Sequence, residues 1–202
     1  YVRGEQKRTV TEAEMLDAAK QATDEPRALC EAARLLAAAH YEKGDSPSLD
    51  RALSELTDAS RRLLERGEAA LAACLLNDQA AIYLRMGDPV RAMALAEQSR
   101  AVFSRVDRTD PVAGRELAQT DLLIARILLH VPARPGREAD ALSAAADHAL
   151  AAARVFEKLG EPFERARALE TLGRLELRRG RLDRAIEQLR AALSEQERLS
   201  EV

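Results

Sequence analysis

Residues 75–103 read LLNDQAAIYLRMGDPVRAMALAEQSRAVF. Two runs with helical spacing meet at Met86-Gly87-Asp88-Pro89. Glycine tolerates the positive φ that closes one helix, and proline fits the first turn of the next. A connection this short folds the second helix back antiparallel to the first. The faces that should be buried carry Ala80, Ala92, Ala96 and Ser99 instead of bulky residues. Small side chains let two helices approach at the short end of the roughly 8–10 Å interaxial range. The stretch therefore predicts a close-packed helical hairpin.

The same punctuation recurs along the chain. Asp24-Glu25-Pro26, Gly44-Asp45 with Ser46-Pro47, Gly67, Asp110-Pro111, Gly160-Glu161-Pro162 and Gly180-Arg181 divide it into helix-sized pieces. The reading is of helices at about 26–43, 46–67, 68–86, 89–106, 111–131, 137–159, 162–179 and 182–199. Ahead of them Thr11 and Glu14 form a capping box that opens a short helix to about Thr23. Val131 to Glu138, VPARPGRE, is the one loop of any length and reads as a surface insertion inside a hairpin. The domain reading is an N-terminal segment 1–25, then one array over 26–200 with hairpins at 26–66, 68–106, 111–159 and 162–199.

Composition agrees with an all-α chain. Apolar residues make up 47% of the 202, aromatics only 3%, and tryptophan is absent, so burial rests on Leu, Ala and Val. Alternating β-branched runs that would mark strands do not occur. Lys and Arg number 31 against 34 acids, for a net charge of -3, which disfavours a nucleic-acid partner. No apolar run reaches the about 18 residues a membrane helix needs, and no signal peptide is visible, so the localisation expected is cytoplasmic. Cys30 and Cys74 lie inside helical runs and read as reduced core thiols. The first residue is Tyr1, which suggests a piece of a longer polypeptide.

Aligning the turns superimposes ARLLAAAHYEKGD from Ala33, LLNDQAAIYLRMGD from Leu75 and ARALETLGRLELRRGRLD from Ala166. The partner helices align through Ala52, Leu56 and Ala59; Ala92, Ala96 and Ser99; Ala145, Ala149 and Ala152; and Ala185, Leu189 and Ala192. With these residues the sequence resembles the tetratricopeptide repeat family, whose signature is W-x2-L-G-x2-Y followed by A-x3-F and a small residue. Leu169, Leu172-Gly173 and Ala185 take its slots in the last unit, and Leu76, Gln79-Ala80, Tyr83 and Ala92 take them in the middle one. A third, degenerate unit places Asp121 in the tryptophan slot, ahead of Ile124-Ala125 and Leu128. Gln79 and Glu176 stand in slots the family makes apolar or aromatic. The spacing is also long: Gly44 to Gly87 is 43 residues, against the family's usual period of about 34. Elongated versions similar to those of kinesin light chains and bacterial peptide-sensing regulators have units of about this length.

The resemblance implies a right-handed α-solenoid superhelix of stacked antiparallel hairpins, with an extended peptide or partner helix bound in the groove lined by the first helix of each unit. Carried over by slot, the groove residues are Arg34, Tyr41, Asn77, Ala81, Arg85, Gln119, Leu122, Arg126, Arg167, Glu170, Arg174 and Arg178. Arginine forks match carboxylates bidentately, so the expected ligand is an acidic segment of a protein or peptide, and Asn77 could hold its backbone. The competing reading is that these arginines pair with Glu170 and other neighbours on a solvated face. No cofactor or metal is implied. His40 fits the core or groove, His130 sits at a helix C-terminus, Asp147-His148 point apart, and no catalytic motif occurs. The function expected is a non-catalytic interaction module of a larger signalling or regulatory protein, monomeric or weakly dimeric. Two other readings stand beside it: a sensory domain of a helical-repeat regulator, and self-assembly through an uncapped end. The charged close ERLSEV, residues 197–202, reads as a solvated cap, which makes the N-terminal end the expected sticky one.

Overall fold

The computed structural model describes residues 25–106, 111–131 and 136–200. Residues 1–24, with the expected short helix, and 132–135 of the VPARPGRE loop lie outside the described residues. Among the described residues there are helices and no strands: α1 (Pro26–Lys43), α2 (Ser46–Glu65), α3 (Ala69–Arg85), α4 (Pro89–Phe103), α5 (Pro111–His130), α6 (Glu138–Leu159), α7 (Pro162–Arg178) and α8 (Leu182–Ser200). The fold is all-α, of the helical-repeat, α-solenoid type. Its contacts divide the chain into two compact units, one through Asp78 and one from Gln79 on, and the division falls within α3.

The helix ends follow the local chemistry read from the sequence. Proline occupies the first turn of α1, α2, α4 and α7. Asp45 caps α2: its carboxylate accepts from the Ser48 N–H at 2.9 Å and from the Ser48 hydroxyl at 3.0 Å, contacts that hold its pKa below the ordinary carboxylate value. At the opening turn Gly87 has φ 80°, which a side chain would strain. The Asp88 carboxylate there accepts from the Arg91 N–H at 3.0 Å and so caps α4. α4 stops at Phe103, three residues before the expected end, in a short turn where the Ser104 N–H still reaches the Arg100 carbonyl.

In the first unit α1 packs on α2, and Leu29, Ala33 and Leu36 of the one and Leu49, Leu56 and Leu63 of the other are buried. Both cysteines are buried, and neither is in a disulfide. The Cys30 thiol faces the Leu71 carbonyl at 3.6 Å, and the Cys74 thiol faces the Ala70 carbonyl at 3.4 Å. In the second unit α4 packs on α5, α5 on α6, α6 on α7 and α7 on α8. Ala80, Ala92, Ala96 and Ser99 are all 0% exposed. The first three pack with Leu123, Ile124 and Ile127, so alanine on one helix is met by larger residues of the next. That division of sizes is why the small residues stand where they do.

The two polar residues in apolar slots are also inside. Gln79 is buried. Glu176 is buried beside Arg179 at 2.9 Å and Arg181 at 3.6 Å, two arginines supplied by the turn that ends α7. A buried carboxylate is tolerable here because the turn following its own helix brings the countercharge.

Candidate functional site

α5 and α7 touch each other across α6 in the second unit. Between them lies a cleft of about 270 Å³, lined by Arg126, Leu129 and His130 of α5 and by Arg167, Glu170, Thr171 and Arg174 of α7. The spacing explains the convergence. Residues 126, 129 and 130 fall on one face of a helix, as do 167, 170, 171 and 174. Three of the arginines expected from the repeat slots therefore share one cleft.

The cleft's charges are partly engaged. Arg167 donates to Glu164 at 3.0 Å, and its guanidinium lies 5.9 Å from the centre of the Phe163 ring. Arg174 pairs with Glu170 at 2.7 Å. Both are contacts within one helix. The exposed Arg174–Glu170 pair is worth only a few tenths of a kcal/mol, so an incoming carboxylate can join or displace it. Glu164, by contrast, is largely buried beside Arg167. Thr171 donates to the Arg167 carbonyl at 2.9 Å, and the His130 Nδ1 lies 2.7 Å from the Arg126 carbonyl. Arg178 reaches from α7 to the Leu129 carbonyl at 2.5 Å, satisfying one of the last carbonyls of α5.

The other expected residues are placed differently. Arg34 is paired with Asp78 at 2.8 Å in the first unit, where Tyr41 is half-buried. Arg85 is exposed at the end of α3. The Gln119 amide stands against the Arg115 guanidinium, and once turned so that its oxygen faces Arg115 it accepts at 3.0 Å. Asn77 is buried, at 7% exposure, and so does not offer its amide to a surface ligand. Leu122 is likewise in the core, packed with Phe156, Ala168 and Leu169. Both lie on a helix face that a neighbour covers, which the slot assignment did not resolve.

One cluster went unread in the sequence. Asp121, in the tryptophan slot of the degenerate unit, accepts on one oxygen from the Arg100 Nε of α4 at 2.9 Å and from the His148 Nδ1 of α6 at 2.9 Å. Asp121 is buried, so one carboxylate pins three successive helices. His40 is buried too, as its slot implied. Asp121→Ala strips both donors of their acceptor and should cost about 1–3 kcal/mol, toward the lower end because Arg100 is half exposed. Urea midpoints check this, and a loss below about 0.5 kcal/mol would show that the cluster contributes little.

Among the described residues no group of three His, Cys, Asp or Glu is placed to hold a metal ion. Nor, among those residues, is any helix long and apolar enough to cross a membrane. No family model and no curated protein matches the chain. Solved structures do. The crystal structure of BtubC (BKLC) from P. vanneervenii superimposes with a TM-score of 0.69 at 18% identity, over 94% of this chain and 73% of that one. The crystal structure of MamA aligns with 77% of this chain and 93% of its own at 18% identity, but the TM-score is only 0.26. At such identity the first likeness bears on the fold alone, and the second is too weak to bear on anything.

Proposed function

We propose that this protein is a non-catalytic interaction module of tetratricopeptide type that grips an acidic peptide, or the acidic face of a helix, in the cleft between α5 and α7. The observation behind this reading is the cleft's charge. Three arginines and a histidine line it against one glutamate, although the chain as a whole carries a net charge of -3. Guanidinium forks at Arg167 and Arg174, two helical turns apart, with Arg126 on α5, suit a ladder of carboxylates. The apolar stems of the arginines, with Leu129 between them, give a ligand's side chains something to lie against.

The test uses a fluorescein-labelled hexaglutamate peptide, with hexalysine as control. Anisotropy should rise on titration with the protein for the acidic probe only, and binding should weaken as salt is raised. Arg126→Glu combined with Arg174→Glu should lower affinity by roughly a hundredfold, the equivalent of two lost charge-assisted contacts. The far-UV CD melt should hardly move, because the repulsion that the second substitution sets up against Glu170 is worth only a few tenths of a kcal/mol. Undiminished binding by the double variant would remove the cleft from consideration.

A further inference from the structure

α8 turns one face to α7, burying Ala185, Ala192 and Glu195, the last in an ion pair with Arg165. Beside that face stand four large apolar side chains with open surface: Leu182 is 59% exposed, Ile186 48%, Leu193 54%, and Leu189 38% while also resting on Gly173 of α7. Their spacing is four, three, four. That is the seam of a two-stranded coiled coil, with each residue placed to meet a knob or hole of a facing helix. Scattered exposed leucines are ordinary on a protein surface, but a continuous seam is not. The seam lies on the helix whose charged close reads in the sequence as a solvated cap, and Leu199 near its end is itself 42% exposed.

The pattern also selects its occupant. A four-three-four spacing reads the same in both directions. A second α8 laid antiparallel, with the two-fold axis between Ile186 and Leu189, sets Leu182 against Leu193 of the second copy and Ile186 against Leu189 of the second copy, each contact occurring twice. Asp183 and Arg190 each directly follow a seam residue, so they lie on one edge of it. In that arrangement Asp183 flanks Arg190 of the second copy, and Arg190 flanks Asp183, as an isologous interface requires. A parallel pairing would turn these charges toward the Ala185 and Ala192 edge that α7 already covers. We propose that α8 is a homodimerisation helix that pairs antiparallel with a second copy of this chain. Four apolar residues a side fall short of the area in a tight interface, so dissociation belongs in the range of roughly 1–100 µM. The seam and the arginine cleft share no residue.

Sedimentation equilibrium of the 202-residue chain up to roughly 1 mM tests this. The wild type should shift from monomer to dimer over that range. Ile186→Lys with Leu193→Lys should stay monomeric with an unchanged CD melt, since both side chains are exposed. Asp183→Arg and Arg190→Asp should each weaken the dimer by roughly tenfold, and together should restore it. A wild type that stays monomeric throughout overturns the proposal and leaves the seam to a helix of another protein or of a longer polypeptide. A dimer that survives the two lysines overturns it as well. Charge reversals that fail to rescue each other rule out the antiparallel register.

Discussion

Phe156→Ala should lower stability by about 3–5 kcal/mol, the largest effect of any single truncation in the second unit. Phe156 is fully buried, and the other buried members of its cluster are Ala118, Leu122, Ala152, Ala153, Ala168, Leu169 and Ala192. Five of those seven are alanines. They have no side chain that can swing into the vacated volume, and they sit on helices held by their own hydrogen bonds. The cavity therefore stays open, which puts the cost at the upper end for this kind of change. Among the described residues of this cluster Phe156 is the one ring, so no second ring is at hand to fill the gap. Against a total stability of order 5–15 kcal/mol the variant should unfold in far less urea. A midpoint close to wild type would mean that the second unit is not organised around this ring.

Gly173→Leu should cost roughly 1–3 kcal/mol through crowding instead of a cavity. A Cβ at this position would stand 2.7 Å from Leu189 Cγ, 2.9 Å from Leu189 Cδ2 and 3.3 Å from the Ala185 carbonyl oxygen. Leu189 is partly exposed and can swing aside, but the Ala185 carbonyl belongs to the backbone and cannot. Gly173→Ala should be nearly neutral, because roughly 1 kcal/mol of helix propensity offsets the smaller clash. Gly114 supplies the control: it is also helical, and a Cβ there would meet nothing within 4 Å. Gly114→Ala should gain the propensity without a penalty. Thermal melts of the three variants separate the cases, and a Gly173→Leu melt equal to wild type would mean that α8 can move away from α7 at this point at no cost.

Much of the fold was legible because its signals are local. Gly87 with Pro89, Gly160 with Pro162 and Gly180 mark turns through backbone chemistry that needs no knowledge of the rest of the chain. Ala80, Ala92 and Ala96 announced close approach by their size. Arg126, Arg167 and Arg174 could be brought to one cleft because a helical period fixes which residues share a face. That period does not say how far a neighbour wraps around the helix, and so Asn77 and Leu122, assigned to an open groove, are covered. The Arg100–Asp121–His148 cluster depends on the mutual rotation of three helices, which no single-helix pattern contains. Its one advance sign was an acid directly ahead of Leu122, Leu123 and Ile124. The apolar seam of α8 was legible in the spacing of Leu182, Ile186, Leu189 and Leu193, but the charges at the chain's end drew the reading away from it.

In the second unit, helices touch chiefly those next to them in the chain, with α5 and α7 meeting across a single intervening helix. Each such contact closes only a short loop, so little entropy is spent before packing begins to reward it. Chains wired this way belong among the rapid folders, assembling by accretion onto whichever pair of rods forms first, and loosening from the ends inward.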